Sequence, residues 1–186
     1  MSKLETNTID TVSGTTNLTI GSTNSSTVTF ENGAPTGHMY PAFEAYLSSD
    51  QTVSSGTQTK IQFNTEDLDT DSAYDNSTNY RFTPNKAGKY FVYVTCNVDV
   101  SAGFYYASSE VLKNGSTIPS ARILNIWENL SSSDDSIEGI FLTYHGIVDM
   151  NGSSDYVELY GRNLNSTLFK GDSDRRSYFG AYRIGA

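Results

Sequence analysis

The stretch NYRFTPNKAGKYFVYVTCNVDV, residues 79–100, decides the fold. Pro84 fixes φ and cannot donate to a ladder, so it ends the strand before it. Gly88 permits a positive φ, or a close backbone approach, where the chain swings into the next run. From Lys89 onward, Tyr90, Val92, Val94, Cys96 and Val98 fall on one face, and Phe91, Tyr93, Thr95, Asn97 and Asp99 on the other. Both faces are apolar at the start. That predicts a central strand covered on both sides, one side by the domain's own core and the other by a neighbouring subunit.

Working outward, strand-like runs flank this one from Met39 to the end of the chain. They are AFEAYL (42–47), TKIQFN (59–64), NYRFT (79–83), KYFVYVTCNVDV (89–100), FYYASSEVLKNG (104–115), ARILNIW (121–127), IEGIFLTYHGIVDM (137–150), DYVELYGRN (155–163) and SYFGAYRIG (177–185). Loops of Asn, Gly, Ser and Asp separate them, and Asn114-Gly115 is a hairpin turn signal. No window holds a 3.6-residue period over three turns. Short strands with such loops predict an all-β sandwich or jelly roll.

Bulk properties narrow the function. The 186 residues carry a formal net charge of −9 and one cysteine, Cys96. A disulfide framework within the chain is excluded. No basic stripe appears, so a nucleic-acid partner is not expected. No apolar run approaches the length of a membrane span, and the N-terminal residues lack the apolar region of a signal peptide, so synthesis in a cytoplasm is expected.

Residues 13–33 differ from the rest: 16 of these 21 residues are Ser, Thr, Asn or Gly. Leu18/Ile20 and Val28/Phe30 show the period of short strands. Four apolar side chains cannot build a core, and this segment gains order only by adding strands to another surface. The expected division is an extended anchoring arm over 1–38, docking through Leu18, Ile20, Val28 and Phe30, and a head domain over 39–186.

The run YDNSTNYRFTPNKAGKYFVYV (74–94) resembles the signature of the complement component 1q globular head, within the tumour necrosis factor-like superfamily. The matching residues are Tyr74, Asp75, Phe82, Pro84, Ala87, Gly88 and Tyr90. Tyr74 replaces a commoner Phe, and Val92 stands where the signature has Phe. VLKNGS (111–116) resembles the family's Lys-Asn-Gly hairpin, and YFGAYRI (178–184) its last strand. The resemblance spans about residues 41–185 and implies a jelly-roll head forming a homotrimer around an apolar, aromatic three-fold axis. The 13 Tyr and 9 Phe suit that, because a tyrosine can bury its ring at an interface while its hydroxyl stays bonded. Gly180, in the middle of the last strand, predicts close packing or a bulge.

Catalytic chemistry has little to stand on. His38 lies at the arm–head junction, and His145, alternating with Tyr144, is expected to be buried and hydrogen-bonded. Cys96 reads as a small buried hydrophobe. No phosphate-binding loop, nucleophile elbow or zinc-binding helix motif occurs, so neither enzyme activity nor a cofactor is expected. EDLDTDSAYD (66–75) fails the EF-hand pattern. It reads as a solvated acidic loop, with an irregular calcium site at Asp67, Asp69 and Asp71 as the alternative. Trp127 is the only tryptophan. It reads as a core or interface residue, or as a ring exposed for stacking on a sugar.

Three functions fit these features. The first is a bacteriophage virion protein, a trimeric capsid decoration or head-fibre knob whose arm docks on a capsid or tail lattice by strand addition. The second is the tip of a tail fibre that reads host-surface glycans near Trp127. The third is a bacterial adhesion module.

Overall fold

The computed structural model describes residues 40–99, 105–126, 139–165 and 167–185, with the backbone alone at 120 and 122–126. Every regular element among them is a strand. In chain order these are β1 (Ala42–Tyr46), β2 (Gln51–Val53), β3 (Thr59–Lys60), β4 (Thr65–Asp69), β5 (Tyr74–Asp75), β6 (Arg81–Phe82), β7 (Ala87–Val98), β8 (Tyr106–Lys113), β9 (Ser116–Ile126), β10 (Ile140–Asn151), β11 (Val157–Asn163), β12 (Thr167–Phe169) and β13 (Tyr178–Gly185). They form two antiparallel sheets. One runs β2-β12-β7-β13-β1-β4, with β10 on the other side of β7; the other runs β5-β6-β11-β8-β9, with β3 also on β11. This is a tumour necrosis factor-like jelly roll.

The central strand is β7. It pairs with β10 along its whole length, from Ile140↔Val98 to Asn151↔Ala87. On its other side it pairs with β13 and, at Phe169↔Val98, with β12. Its inward set, Tyr90, Val92, Val94, Cys96 and Val98, is fully buried, as the alternation predicts. Burial pushes the Cys96 thiol's pKa well up, which keeps it protonated and inert. In β10 the even positions Leu142, Tyr144, Val148 and Met150 are buried, while Phe141, Thr143, His145 and Ile147 are exposed.

The aromatic residues of the signature, Tyr74, Phe82 and Tyr90, turn out to be core residues. Phe43 stacks between Tyr74 and Phe82, with ring centroids at 4.6 and 4.5 Å, and meets Phe179 edge-on at 5.0 Å. Tyr74 donates its hydroxyl to the Phe63 carbonyl at 3.0 Å. Tyr90 packs edge-on against Phe82 and donates to the Lys86 carbonyl at 2.7 Å. Both phenols therefore bury their rings without stranding a polar atom.

At two places the backbone adopts the conformation that the sequence calls for. Asn114 and Gly115 both have positive φ, 52° and 76°, as a two-residue β8–β9 turn of type I′ requires. Gly88 has φ 146°, and a Cβ there would lie 2.2 Å from the Gly185 carbonyl oxygen. Both reasons for a glycine at that position thus apply.

The acidic segment 66–75 departs from its expected loop. Residues 65–69 form β4, which pairs with β1 at the edge of the first sheet. Its exposed Glu66 and Asp67 put charge on an open edge, a feature that discourages pairing with other chains. The Asp69 carboxylate accepts the Ala73 and Tyr74 N–H groups at 2.9 and 3.0 Å, which folds the chain from β4 into β5.

Candidate functional site

The outward side of the first sheet carries the least ordinary surface in the described molecule. Strand register builds it in rows across β1, β13, β7 and β10. One row is Glu44, Gly180, Tyr93 and His145; beside it run Ala42, Tyr182, Phe91 and Ile147, and Tyr46, Tyr178, Thr95 and Thr143. Four strands at about 4.8 Å spacing make each row roughly 14 Å wide.

Rings fill the middle. Phe91 lies 5.4 Å from Tyr182 and 6.1 Å from Tyr93, and Tyr93 lies 6.3 Å from Tyr178. The His145 imidazole stacks on the β10 side of Phe91 at 6.2 Å. Phe141 and Ile147 extend the patch along β10 at 60% and 59% exposure. A single exposed apolar residue is ordinary, but rings and aliphatic groups running together across four strands make this face a candidate binding surface.

Gly180 makes room for Tyr93. A Cβ at Gly180 would stand 2.4 Å from Cζ and Oη of Tyr93, so the ring lies across the β13 backbone. Its hydroxyl then reaches β1 and donates to Glu44 Oε2 at 2.6 Å. Burial, and next the bond to Glu44, push the Tyr93 phenol's pKa well up, so it stays a donor. Close packing at Gly180 is thus the correct half of the sequence expectation.

At the β1 side of the face an open hollow of about 440 Å³ is lined by Glu44, Tyr93, Asp174, Arg175 and Tyr178. Arg175 pairs with Asp67 at 2.7 Å and lies 5.5 Å from the Tyr46 ring centroid. At the β10 side a second open hollow, about 400 Å³, brings Ile118 and Pro119 of β9 next to Ile147 and Val148. The two sides of the patch therefore differ: one sets Tyr93 and Tyr178 among Glu44, Asp174 and Arg175, and the other sets aliphatic groups among Lys113, Ser116, Thr117 and Asp149.

His145 corrects an expectation. It is exposed on the outward face, while its neighbour Tyr144 takes the buried position. Asp67, Asp69 and Asp71 do not converge: Asp67 serves Arg175, and Asp69 serves backbone N–H groups. Among the described residues no group of three metal-ligating side chains occurs. The docking residues Leu18, Ile20, Val28 and Phe30, together with His38 and Trp127, lie outside the described residues. The sequence did signal the outward set of β7. It did not signal that Tyr178, Tyr182, Phe141 and Ile147 join it, because that depends on register between distant strands.

Comparison with solved structures gives the fold independent support. The chain is similar to Eiger, a TNF from S. frugiperda, with a TM-score of 0.61 and 9% identity over 79% of this chain and 94% of that one. It is similar to murine APRIL at pH 8.0, with a TM-score of 0.55 and 11% identity over 77% of this chain and 98% of that one. Likeness at such identity establishes the tumour necrosis factor-like jelly roll and nothing finer. No protein-family model matches the chain. No curated protein matches it either.

Proposed function

We propose that the protein is a non-enzymatic structural protein of a bacteriophage particle, a capsid decoration or head-fibre protein. Its jelly-roll head assembles as a homotrimer through the outward face of β1, β13, β7 and β10. Residues 1–38 tether each subunit to a capsid or tail lattice. The observation that carries this reading is the aromatic face itself, with Phe141 and Ile147 about 60% exposed beside a continuous bed of rings. Such a face costs free energy while it is wet and is stabilised when a partner covers it.

A second copy is the partner because the patch has two unlike sides. The aliphatic β9–β10 edge of one copy complements the Tyr93–Tyr178 hollow of the next. Contacts between unlike patches close into rings when the rotation allows. The virion placement draws on the acidic, cysteine-poor chain and on the Ser/Thr/Asn-rich segment 13–33. Three tethers on one trimer multiply weak individual attachments.

The test uses Ile147→Asp with Tyr182→Asp. Both side chains point away from the core, so the variant keeps its circular dichroism spectrum and sediments as a single chain. Deleting residues 1–36 leaves an assembled head that no longer attaches to its particle. An Asp pair that leaves the assembly intact, or a truncated chain that is monomeric, overturns the reading.

A further inference from the structure

We propose that a polar hollow beside the β1–β2 connection binds a single ring of a neutral sugar. It is separate from the assembly face: none of its lining residues lies on the outward rows of β1, β13, β7 and β10.

Three segments of chain build the hollow, whose volume is about 260 Å³. The β1–β2 connection brings Ser49 and Asp50, with Thr52 following on β2; the link from β3 to β4 brings Gln62 and Asn64; Tyr80 stands just before β6. Ile61 and Phe63 are buried in the core, so Gln62 and Asn64, which alternate with them, face outward. The walls are tied to one another. Ser48 donates its N–H to Asn64 Oδ1 at 3.1 Å, Gln51 Nε2 donates to the Lys60 carbonyl at 2.7 Å, and the Gln62 N–H donates to Gln51 Oε1 at 2.8 Å. Asp50 is fixed by Lys170 at 2.7 Å and by the Gly171 N–H at 2.9 Å. The site is therefore organised before any ligand arrives.

These bonds engage the charges and leave neutral groups facing the hollow. The Ser49 and Thr52 hydroxyls, the Gln62 side-chain amide, Asn64 Nδ2 and the Tyr80 hydroxyl have no partner among the described residues. An anion finds no unpaired cation in this lining, and an organic cation finds no unpaired carboxylate. No group of three metal-ligating side chains occurs among the described residues. What remains is a set of hydroxyls and amides beside one ring. Sugar hydroxyls both donate and accept, which matches that set, and the apolar face of a pyranose packs on a phenol ring. The hollow is smaller than the roughly 300–1,000 Å³ clefts that take drug-sized ligands, so it holds one ring and leaves a longer glycan outside.

Tyr80 gives an independent sign. Its φ is 48°, in the left-handed region, where a bulky residue is an outlier. Glycine or asparagine makes such a turn with less strain. Strained residues gather where a side chain has to be presented to a ligand. The Tyr80 ring is half-buried, and no other described ring or cation stacks on it.

Saturation-transfer NMR on the full chain tests the proposal with the methyl glycosides of glucose, galactose, mannose and N-acetylglucosamine. A glycan array presents the same rings at the end of a chain. Binding of at least one neutral sugar is expected, with a Kd of about 1–10 mM for the free glycoside. Gln62→Ala and Tyr80→Asn should each weaken it about tenfold while the circular dichroism spectrum and sedimentation stay those of the wild type. Asparagine suits the left-handed backbone, so the second variant removes the ring without adding strain. Binding in the solution arm identifies a free sugar as ligand, and binding on the array alone identifies a surface glycan; both support the site when the two variants lose it. Silence from every neutral sugar in both arms overturns the proposal. So does binding that both variants keep at wild-type strength, or binding confined to sialylated or sulfated glycans. The assembly reading is decided separately by the sedimentation mass and stands or falls without this site.

Discussion

Replacing Gly180 by Ala tests how the face is built. The backbone at Gly180 needs no glycine conformation, so the constraint is space alone. The new Cβ would meet Tyr93 Cζ and Oη at 2.4 Å and Cε2 at 2.8 Å. Carbon contacts are favourable at about 3.5–4.0 Å, so the ring has to move by more than about 1 Å. That movement breaks the 2.6 Å bond to Glu44. It also disturbs the packing on Phe91, Tyr178 and Tyr182, whose centroids lie 6.1–6.4 Å away. A hydrogen bond to a charged acceptor contributes about 1.5–3 kcal/mol, with the lower end fitting a half-exposed pair. Each aromatic contact contributes about 0.5–1.5 kcal/mol, of which part survives a shift. Ala in place of Gly returns about 0.5–1 kcal/mol of chain entropy. The net loss is about 1–2 kcal/mol.

Urea unfolding at matched protein concentration measures this loss, because association contributes to apparent stability. The decisive comparison is with a Tyr93→Ala background. There the Cβ meets empty space, and Gly180→Ala is neutral or slightly stabilising. The cycle should give a coupling of about 1.5–2.5 kcal/mol between the two sites. Equal losses in both backgrounds, within about 0.5 kcal/mol, would mean that Tyr93 does not lie across Gly180, and the account of the face would fail.

Phe43→Ala removes the ring at the centre of the Tyr74, Phe82 and Phe179 cluster and should cost about 3–5 kcal/mol in chemical denaturation; a loss under about 1 kcal/mol would displace it from the core. The Asp75 carboxylate accepts N–H groups from Thr78, Ser77 and Asn79, at 2.8, 3.0 and 3.1 Å, and the Thr78 bond leads in holding its pKa far below the usual carboxylate range. Its contribution is present above about pH 4 and lost as pH falls below that. Asp75→Ala should therefore lower the melting temperature at pH 7 and flatten its decline between pH 4 and pH 2; an unchanged slope contradicts this. Chelation by EDTA should leave the melting temperature within about 2 °C, since Asp67 and Asp69 already have protein partners; a drop of about 5 °C or more would restore the calcium site.

Much of the fold was legible because local rules and tertiary structure agree. Pro84, Gly88 and the Asn114-Gly115 pair each require a backbone feature that the chain adopts. The 2-residue period of β7 named its buried set correctly. In β10 the same rule could not choose a face, because Phe141 and Ile147 are as apolar as Leu142 and Val148. The parity was set by pairing with β7, and His145 fell on the outside. Edge strand β4 was hidden for the opposite reason: Glu66, Asp67 and Asp69 mask any apolar alternation. Strands β2, β5 and β12, of two or three residues each, exist through their partners and leave no periodic trace. The candidate face shares that limit. Part of it, Phe91 and Tyr93, is written in one run, and the rest arrives from β1, β10 and β13 by register.

The central claim is that the aromatic face joins three copies of the head. Sedimentation equilibrium of the purified full chain at pH 8 tests it directly. The account predicts one species of three times the 20.4 kDa chain mass, holding together down to micromolar concentration. A well-folded β protein sedimenting at the mass of one chain across the same range would contradict it.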